Sequence, residues 1–415
     1  MFRFIIPITI WFLLDLYAFW GLRTITSKWS PVAAQATHIL YWGVDILILA
    51  TILYFGYIGK FEQGPSKNVG WVLSMIIITI VPKLVVVSVL GMEDMARGAT
   101  GLFTFGQKLF GFSEAKDFIP ERRTFISQLA FGIAAVPFLG LLYGSIKGKY
   151  EYRVHRVRLK FKDLPDAFDG FRITQLSDIH CGSLDDQDAV KRGIELANRQ
   201  DSDLVVFTGD FVNNRADELD DWLDHFGSLN ARFGKYSVLG NHDYGDYVKW
   251  PSLDAKQQNM DKLLQNQNRM GFQMLLNGHT RIEKDGQSIV LAGVENWGHR
   301  RGFAKYGDLS KALNGVRSDE FTILLSHDPS HWEVETLFHE KTIHLTLSGH
   351  THGMQFGVEI PGFKWSPSQY VYPRWAGLYA ENNRHLYVNR GFGYIGYPGR
   401  VGILPEITVI ELLKA

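Results

Sequence analysis

The stretch Leu176-Ser177-Asp178-Ile179-His180 decides how the larger part of the chain is read. It closes an apolar run, Phe171–Ser177, that reads as a buried strand. Residues i and i+2 of a strand point to the same side, so Asp178 and His180 can reach one metal ion together. A single Asp-x-His arises by chance. Its weight comes from four further stretches in order: Gly209-Asp210, Gly240-Asn241-His242-Asp243, Ser326-His327-Asp328 and Gly349-His350-Thr351-His352-Gly353. Each follows a strand-like apolar run. Ligands at the carboxyl ends of neighbouring strands converge on one rim of a sheet. The donors are carboxylates, imidazoles and one amide, a set that suits manganese, iron, zinc or magnesium. An aspartate has two oxygens and can bridge two ions. Two ions about 3.5–4 Å apart form a clamp for phosphoryl transfer.

Around these stretches the chain from about Tyr150 alternates short apolar runs with amphipathic ones, as an α/β domain does. Strands are predicted at Arg172–Ser177, Leu204–Thr208, Lys235–Leu239, Ser288–Val294, Thr322–Ser326, Ile343–Ser348, His385–Asn389 and Glu406–Glu411. Helices are predicted at Asp186–Asn198, Glu218–Phe226, Leu253–Arg269 and Ser330–Leu337. Val154, Val157, Leu159 and Phe161 nearly alternate with charges, the pattern of a half-exposed strand.

The first part of the chain is of another kind. Phe2–Leu22, His38–Ile58, Val69–Leu90 and Phe125–Gly144 are four apolar runs, each about long enough to cross roughly 30 Å of hydrocarbon as a helix. Asp15, Asp45 and Lys83 fall inside them, where an ionisable group is costly unless it is paired. An internal pair of Asp45 with Lys83 is the plainer reading, and a transport path the sharper one. Lys147, Lys149, Arg153, Arg156, Arg158, Lys160 and Lys162 follow the fourth run and place that side in the cytoplasm. Arg3, Lys60 and Lys67 fall on the same side. A long loop, Gly91–Thr124, with Arg97, Lys108, Lys116, Arg122 and Arg123, opposes that orientation. The expectation is a multi-pass membrane protein with residues 1–149 in the bilayer and 150–415 forming a catalytic domain on the cytoplasmic side.

Composition narrows the classes. The 415 residues carry 43 basic and 43 acidic side chains, so no nucleic-acid partner is expected. The single cysteine, Cys181, excludes an intrachain disulfide and a thiolate zinc cluster.

Taken together, the five stretches resemble the signature of the calcineurin-like metallophosphoesterases: D-x-H, G-D, G-N-H-[DE], H and G-H-x-H. The resemblance covers roughly Glu151 to Ala415. Gly349–Gln355, Gly377–Tyr379, Asn389–Gly393 and Pro405–Thr408 are similar to further motifs of a membrane-attached bacterial subgroup. The resemblance implies a two-sheet β-sandwich flanked by helices, behind a transmembrane helix bundle. It implies two divalent ions, manganese foremost. Asp178, His180 and His352 would hold one ion, Asn241, His327 and His350 the other, with Asp210 bridging. His242 would be the catalytic imidazole and Asp243 would orient it. Hydroxide activated by the ions would attack phosphorus in line.

Arg390 and Arg400, in loops beside aromatic residues, are candidates to bind substrate phosphate fork-wise. His279 is a further substrate-side candidate. Trp365, Tyr370, Tyr372 and Trp375 form an aromatic run that suits a lid or a packing loop. The expected reaction is hydrolysis of a phosphoester, phosphodiester or pyrophosphate bond in a phosphorylated small molecule or a lipid-linked substrate at the bilayer. A narrower alternative is the UDP-2,3-diacylglucosamine pyrophosphatase of lipid A synthesis. Another is a non-catalytic scaffold of the same fold, against which the intact ligand set argues.

Overall fold

The computed structural model describes residues 2–59, 67–110, 120–300 and 302–415. They divide into two compact units, one drawn from Met1–Ile58 and Val72–Tyr143, the other from Gly59–Trp71 and Gly144–Ala415. Lys60 and Lys116, used above for orientation, lie outside the described residues.

The first unit is helical. Helices α1 (Phe2–Thr26), α2 (Pro31–Tyr57), α3 (Lys67–Leu109) and α4 (Pro120–Ile146) are long and apolar enough to cross a membrane. Ser30 caps α2 by accepting the Ala33 amide, and Pro31 follows where no amide is needed. Small residues at the helix contacts, Ala18, Ala130 and Ala134, let backbones approach beside Val86 and Leu90. Lys83 Nζ lies 2.5 Å from Asp45 and 2.7 Å from Asp15, so the expected ion pair is a triad across three helices. The loop expected over Gly91–Thr124 is corrected. Helix α3 runs on to Leu109, because Met92–Arg97 are good helix formers and each added residue gains a backbone bond. Arg123, on α4, pairs with Glu93 and with Asp94 at 2.8 Å.

The second unit is built on two six-stranded sheets. The first contains β1 (Arg153–Phe161), β2 (Phe171–Leu176), β3 (Leu204–Phe207), β4 (Lys235–Ser237), β5 (Phe272–Met274) and β14 (Glu406–Lys414), ordered β1-β14-β2-β3-β4-β5. The second contains β6 (Gly278–Lys284), β7 (Gln287–Gly293), β8 (Thr322–Leu325), β9 (Leu345–Ser348), β12 (Gly377–Glu381) and β13 (Arg384–Val388), ordered β12-β13-β9-β8-β7-β6. A small ribbon pairs β10 (Val358–Ile360) with β11 (Phe363–Trp365). Helices α5 (Gln187–Asn198), α6 (Leu223–Gly227), α7 (Leu253–Arg269), α8 (Leu309–Ala312) and α9 (Ser330–Val334) complete the set.

Alternation in the strands explains the layers. Ile173, Val206, Val238, Leu291, Ile323, Leu325, Leu345 and Leu347 face one another between the sheets. Leu176, Val205 and Phe207 point the other way, into a cluster with Val190 and Ile194 of α5 and Leu263 of α7. Val290, Ala292 and Leu324 do the same beneath α8. Each such valine, leucine, isoleucine or phenylalanine contributes about 1.5–3 kcal/mol on burial. The result is the α/β sandwich flanked by helices that the sequence led us to expect. Strands β5, β6, β10, β11 and β12 were not expected, being three residues long or, for β6 and β12, largely half-buried or exposed at the two edges of the second sheet. The helix expected over Glu218–Phe226 splits into a 3-10 turn, Ala216–Leu219, and α6.

Strands β2, β3, β4 and β5 are mutually parallel, as are β7, β8, β9 and β13. The loops leaving β2, β3, β4, β8 and β9 carry all five motif stretches.

Candidate metal centre

Tight backbone holds the motif side chains in place. Asp178, His180, Asp210, His350 and His352 all have φ between 50° and 73°. That region is costly for residues with a Cβ and persists only where surroundings over-determine it. Here the loops are laced together. The Asp178 amide donates to Gly209 O at 2.9 Å, Ile179 to Asp210 O at 2.9 Å, and Gly349 to His327 O at 2.9 Å. Gly209 has φ 100°, and a Cβ there would lie 2.5 Å from Gly240 N and 2.7 Å from His327 Nδ1. A Cβ on Gly349 would overlap the Asp178 carboxylate. The motif glycines therefore let the ligand loops approach each other.

Two groups of donors result. Asp178, His180 and His352 form one, and Asp210, His327 and His350 the other, each with its ligand atoms within 4.8 Å of one another. In the first, His180 Nε2 lies 3.0 Å from His352 Nε2, which is 3.3 Å from Asp178 Oδ1. In the second, His327 Nε2 lies 3.2 Å from His350 Nδ1, 3.2 Å from Asn241 Oδ1 and 3.1 Å from Asp210 Oδ2. Asn241 Oδ1 is 2.8 Å from His350 Nδ1. Asp210 Oδ2 also stands 3.7 Å from His180 Nε2, so one oxygen faces both groups.

These distances fit divalent ions. Neighbouring ligands around an ion with bonds of about 2.1 Å stand about 3 Å apart. Two pairs of imidazole nitrogens facing each other at that distance need a proton or a cation between them. Burial, the foremost cause, holds His180 and His350 below the usual imidazole range, leaving neutral rings with a lone pair to give. Burial works the same way on His327, but the Asp210 carboxylate overrides it and raises that ring to about 10. Asp178 and Asp210 stay depressed against their own burial, held down by His352 and His327 respectively. A cation would take the place of the proton at the His327–Asp210 contact.

The far nitrogens are fixed too. His327 Nδ1 donates to Thr208 O at 2.7 Å. His350 Nε2 lies 2.7 Å from the Tyr372 hydroxyl, and His352 Nδ1 3.2 Å from Arg400 Nη2. His242 stands beside the first group, its ring centroid 5.0 Å from that of His180. Its amide donates to Asp210 Oδ1 at 2.8 Å and its Nδ1 to Asn213 O at 2.8 Å.

Two expectations change. Asp243 does not orient the His242 ring, whose Nδ1 is taken by Asn213 O. Its buried carboxylate accepts the amides of Asp210 at 2.8 Å, Phe211 at 2.9 Å and Gly240 at 2.9 Å. It ties the loop after β3 to the loop after β4. Arg390 and Arg400 are buried rather than open to a ligand. Arg390 pairs with Glu406 at 2.5 Å and Glu359 at 2.6 Å. Arg400 donates to the carbonyls of Gly393 and Arg390 at 2.8 Å each. Both arginines hold the loop after β13, which in turn clamps the first ligand loop through Phe392 N to Ser177 O at 2.8 Å and Gly393 N to Asp178 O at 2.9 Å. His279 lies on edge strand β6, with Nδ1 bonded to Ala312 O at 2.9 Å. Cys181 is buried in the helix-side core.

Tyr372, Tyr247 and Asn213 at the site were not assigned roles from the sequence. The Asn241 side-chain amide donates to the Tyr247 hydroxyl at 2.9 Å, and the Tyr247 ring packs 4.6 Å from His242. Tyr372 belonged to an aromatic run that sequence could not place. Tyr247 and the Asn213 carbonyl had no signal at all.

Comparison with known proteins agrees with this geometry. Residues 171–354 match the family model of the calcineurin-like phosphoesterases, and residues 2–149 match that of a calcineurin-like phosphoesterase transmembrane domain. A Bacillus subtilis metallophosphoesterase, YkuE, is 32% identical over 264 residues, covering 61% of this chain and 83% of its own. A zebrafish transmembrane protein with a metallophosphoesterase domain is 31% identical over 303 residues, 71% of this chain. Its bovine namesake is 32% identical over 279 residues, 64% of this chain. The match spans 63% of the zebrafish protein and 56% of the bovine one. The chain belongs to the calcineurin-like metallophosphoesterases, hydrolases of phosphoester bonds. It is a membrane-associated member, and its two donor groups are candidates to hold divalent ions.

Proposed function

We propose that the protein hydrolyses a phosphodiester or pyrophosphate bond in a substrate held at the bilayer, with residues 1–149 as anchor and 150–415 as catalyst on the cytoplasmic side. The observation that carries the chemistry is the single Asp210 oxygen facing both His180 and His327. Asp178, His180 and His352 would hold one ion, Asn241, His327 and His350 the other, and Asp210 both. Manganese is the favoured metal for this sulfur-free set. Such ions supply Lewis acidity and a reactive water at neutral pH.

The chain's own residues do the rest. His242 is neutral at rest, because burial holds it below the usual imidazole range. Its Nδ1 is fixed on Asn213 O, which leaves Nε2 for the substrate. An anionic phosphoryl group arriving beside it favours the protonated ring, which can then protonate the leaving oxygen. Tyr247 packs on the same ring and keeps it from turning. A membrane anchor confines the search to substrates at that surface. No observation favours the UDP-diacylglucosamine reading over other lipid-linked substrates.

The test is hydrolysis of lipid-linked pyrophosphates and of a soluble aryl phosphodiester by the detergent-solubilised protein, with manganese and with chelator, beside His242→Ala. Manganese-dependent, His242-dependent cleavage that favours the lipid substrate supports the whole proposal. Preference for the soluble ester removes the lipid part, and no cleavage with both metals bound removes the reaction.

A further inference from the structure

Residues 297–300 and 302–305 form the two arms of a loop beside His350, and none of the motifs includes them. An isolated bridge pairs Trp297 with Lys305, and the Asn296 side chain donates to Ala304 O at 3.0 Å, so the base of the loop is closed. The Phe303 ring stands 5.0 Å from the His350 ring. The His299 amide donates to Ser330 Oγ at 3.0 Å. The loop is thus tied to the elements that carry His327 and His350.

Its charge is one-sided. The sequence Trp-Gly-His-Arg-Arg-Gly-Phe-Ala-Lys contains three full cations and no acid. Lys305 is occupied over the Trp297 ring at 4.4 Å. Arg300 is exposed. Its guanidinium lies 5.6 Å from the Tyr372 ring centroid and gives one bond, 3.3 Å, to Val371 O. It makes no ion pair among the described residues. The Tyr372 hydroxyl is the group that touches His350 Nε2. A stacked guanidinium is pre-organised, and one carbonyl uses only one of its five N–H donors. It therefore offers a fork for an oxyanion one side chain away from the candidate metal ligands.

We infer that Arg300 on this loop selects substrates with a second anionic group, a phosphate or carboxylate carried beyond the scissile phosphoryl group. The inference rests on the phosphoesterase reading and replaces the buried Arg390 and Arg400 as the source of that contact. It makes Arg300 a specificity residue, with Tyr372 linking it to the metal centre.

The test uses the full-length, manganese-loaded protein in detergent. Calorimetry compares binding of thymidine 3′,5′-bisphosphate with thymidine 5′-phosphate for the native protein, Arg300→Ala and Arg300→Lys. The native protein binds the bisphosphate more tightly. Arg300→Ala loses about tenfold or more of that preference, and Arg300→Lys loses part of it. Turnover of the 4-nitrophenyl 5′-esters with and without the 3′-phosphate is the second readout. The ratio of their kcat/KM values falls toward one in Arg300→Ala, and the change is in KM. Equal affinities in the native protein, or equal weakening of both ligands by Arg300→Ala, overturn the inference. A native preference that depends on Arg300 without turnover of either ester upholds the loop's role, and the lipid-pyrophosphate assay then decides the phosphoesterase reading by itself.

Discussion

The carboxylate of Asp243 accepts the backbone amide of Asp210 at 2.8 Å, which makes it a brace for the loop that carries Asp210 rather than a partner of the neighbouring imidazole. The same carboxylate takes the Phe211 and Gly240 amides. Removing it strands buried donors, each costing about 1–3 kcal/mol. Asp243→Ala should therefore lose metal and lower the unfolding temperature together. His242→Ala should keep its metal and its stability while kcat falls by about 10²–10⁴. Elemental analysis and thermal unfolding of the two variants side by side separate the roles. Full metal content in Asp243→Ala would refute the bracing role.

Asp210 and Asp178 should differ in the metal they cost. Asp210 Oδ2 faces His327 and His180, whereas Asp178 meets His352 of the first group. Asp210→Ala is expected to drop the stoichiometry from two ions toward none. Asp178→Ala should drop it from two to one, with the ion kept by Asn241, His327 and His350. Titration with manganese, followed by electron paramagnetic resonance, counts both. Retention of two ions by Asp210→Ala would end the bridging assignment.

Tyr372 should tune the second ion without holding it. Its hydroxyl is 2.7 Å from His350 Nε2, the nitrogen turned away from Asn241. Outer partners of this kind are worth about 10–100-fold in metal affinity. Tyr372→Phe keeps the ring and deletes the bond. The ion held by Asn241, His327 and His350 should be lost at about that factor lower chelator concentration, while the other is unaffected. An unchanged chelator titration would make the hydroxyl a packing contact only.

The convergence of the two donor groups was legible in sequence because each donor follows a strand, and parallel strands bring their carboxyl ends to one rim. What Asp243, Arg390 and Arg400 do was not legible. Their motifs give residue types, and the types suit both a ligand role and a bracing role. Only the amides around Asp243, and the carboxylates and carbonyls around the two arginines, decide between them. The extension of α3 past Leu90 was hidden for another reason. Beyond Leu90 it mixes charges (Glu93, Asp94, Arg97 and Lys108) and glycines with its apolar residues, so hydropathy falls where the helix continues. Arg300 sits in a stretch with no periodicity, and its relation to His350 runs through Tyr372, which is 72 residues further on.

Arg390 and Glu406 yield a pH prediction. Both are buried and 2.5 Å apart, and Glu406 also accepts from Tyr387 at 2.6 Å. Burial alone would raise the Glu406 carboxyl, but Arg390 and its hydrogen bonds bring it down to about 2. A depressed carboxyl gives stability that is complete above the unfolded value, about 4.3, and is lost as pH falls toward 2. Glu406→Gln removes the charge and leaves Arg390 buried with Glu359 as its remaining acid. Breaking a buried pair costs about 3–5 kcal/mol. Near neutral pH the variant should be less stable by that order, and the gap should narrow between about pH 4.3 and 2. Chemical unfolding across pH measures the gap, and one that stays constant across pH would remove this pair from the acid response.

The helical unit has its own test in Lys83. Its ammonium lies between Asp15 and Asp45, 2.7 and 2.5 Å away, with the Tyr41 ring 4.9 Å beneath it. Three charges on three helices can lock their register, because removing one partner leaves the others buried without compensation. Lys83→Met leaves two carboxylates facing each other and should lower the unfolding temperature in detergent sharply. Adding Asp15→Asn and Asp45→Asn to that variant removes the stranded charge and should recover most of the loss. Near-ultraviolet circular dichroism follows both, since Trp42 packs 5.3 Å from Phe19 on the adjoining helix. If Lys83→Met is as stable as the native protein, the triad does not lock the helices. If the triple variant fails to recover, the damage comes from packing around the lysine stem and not from its charge.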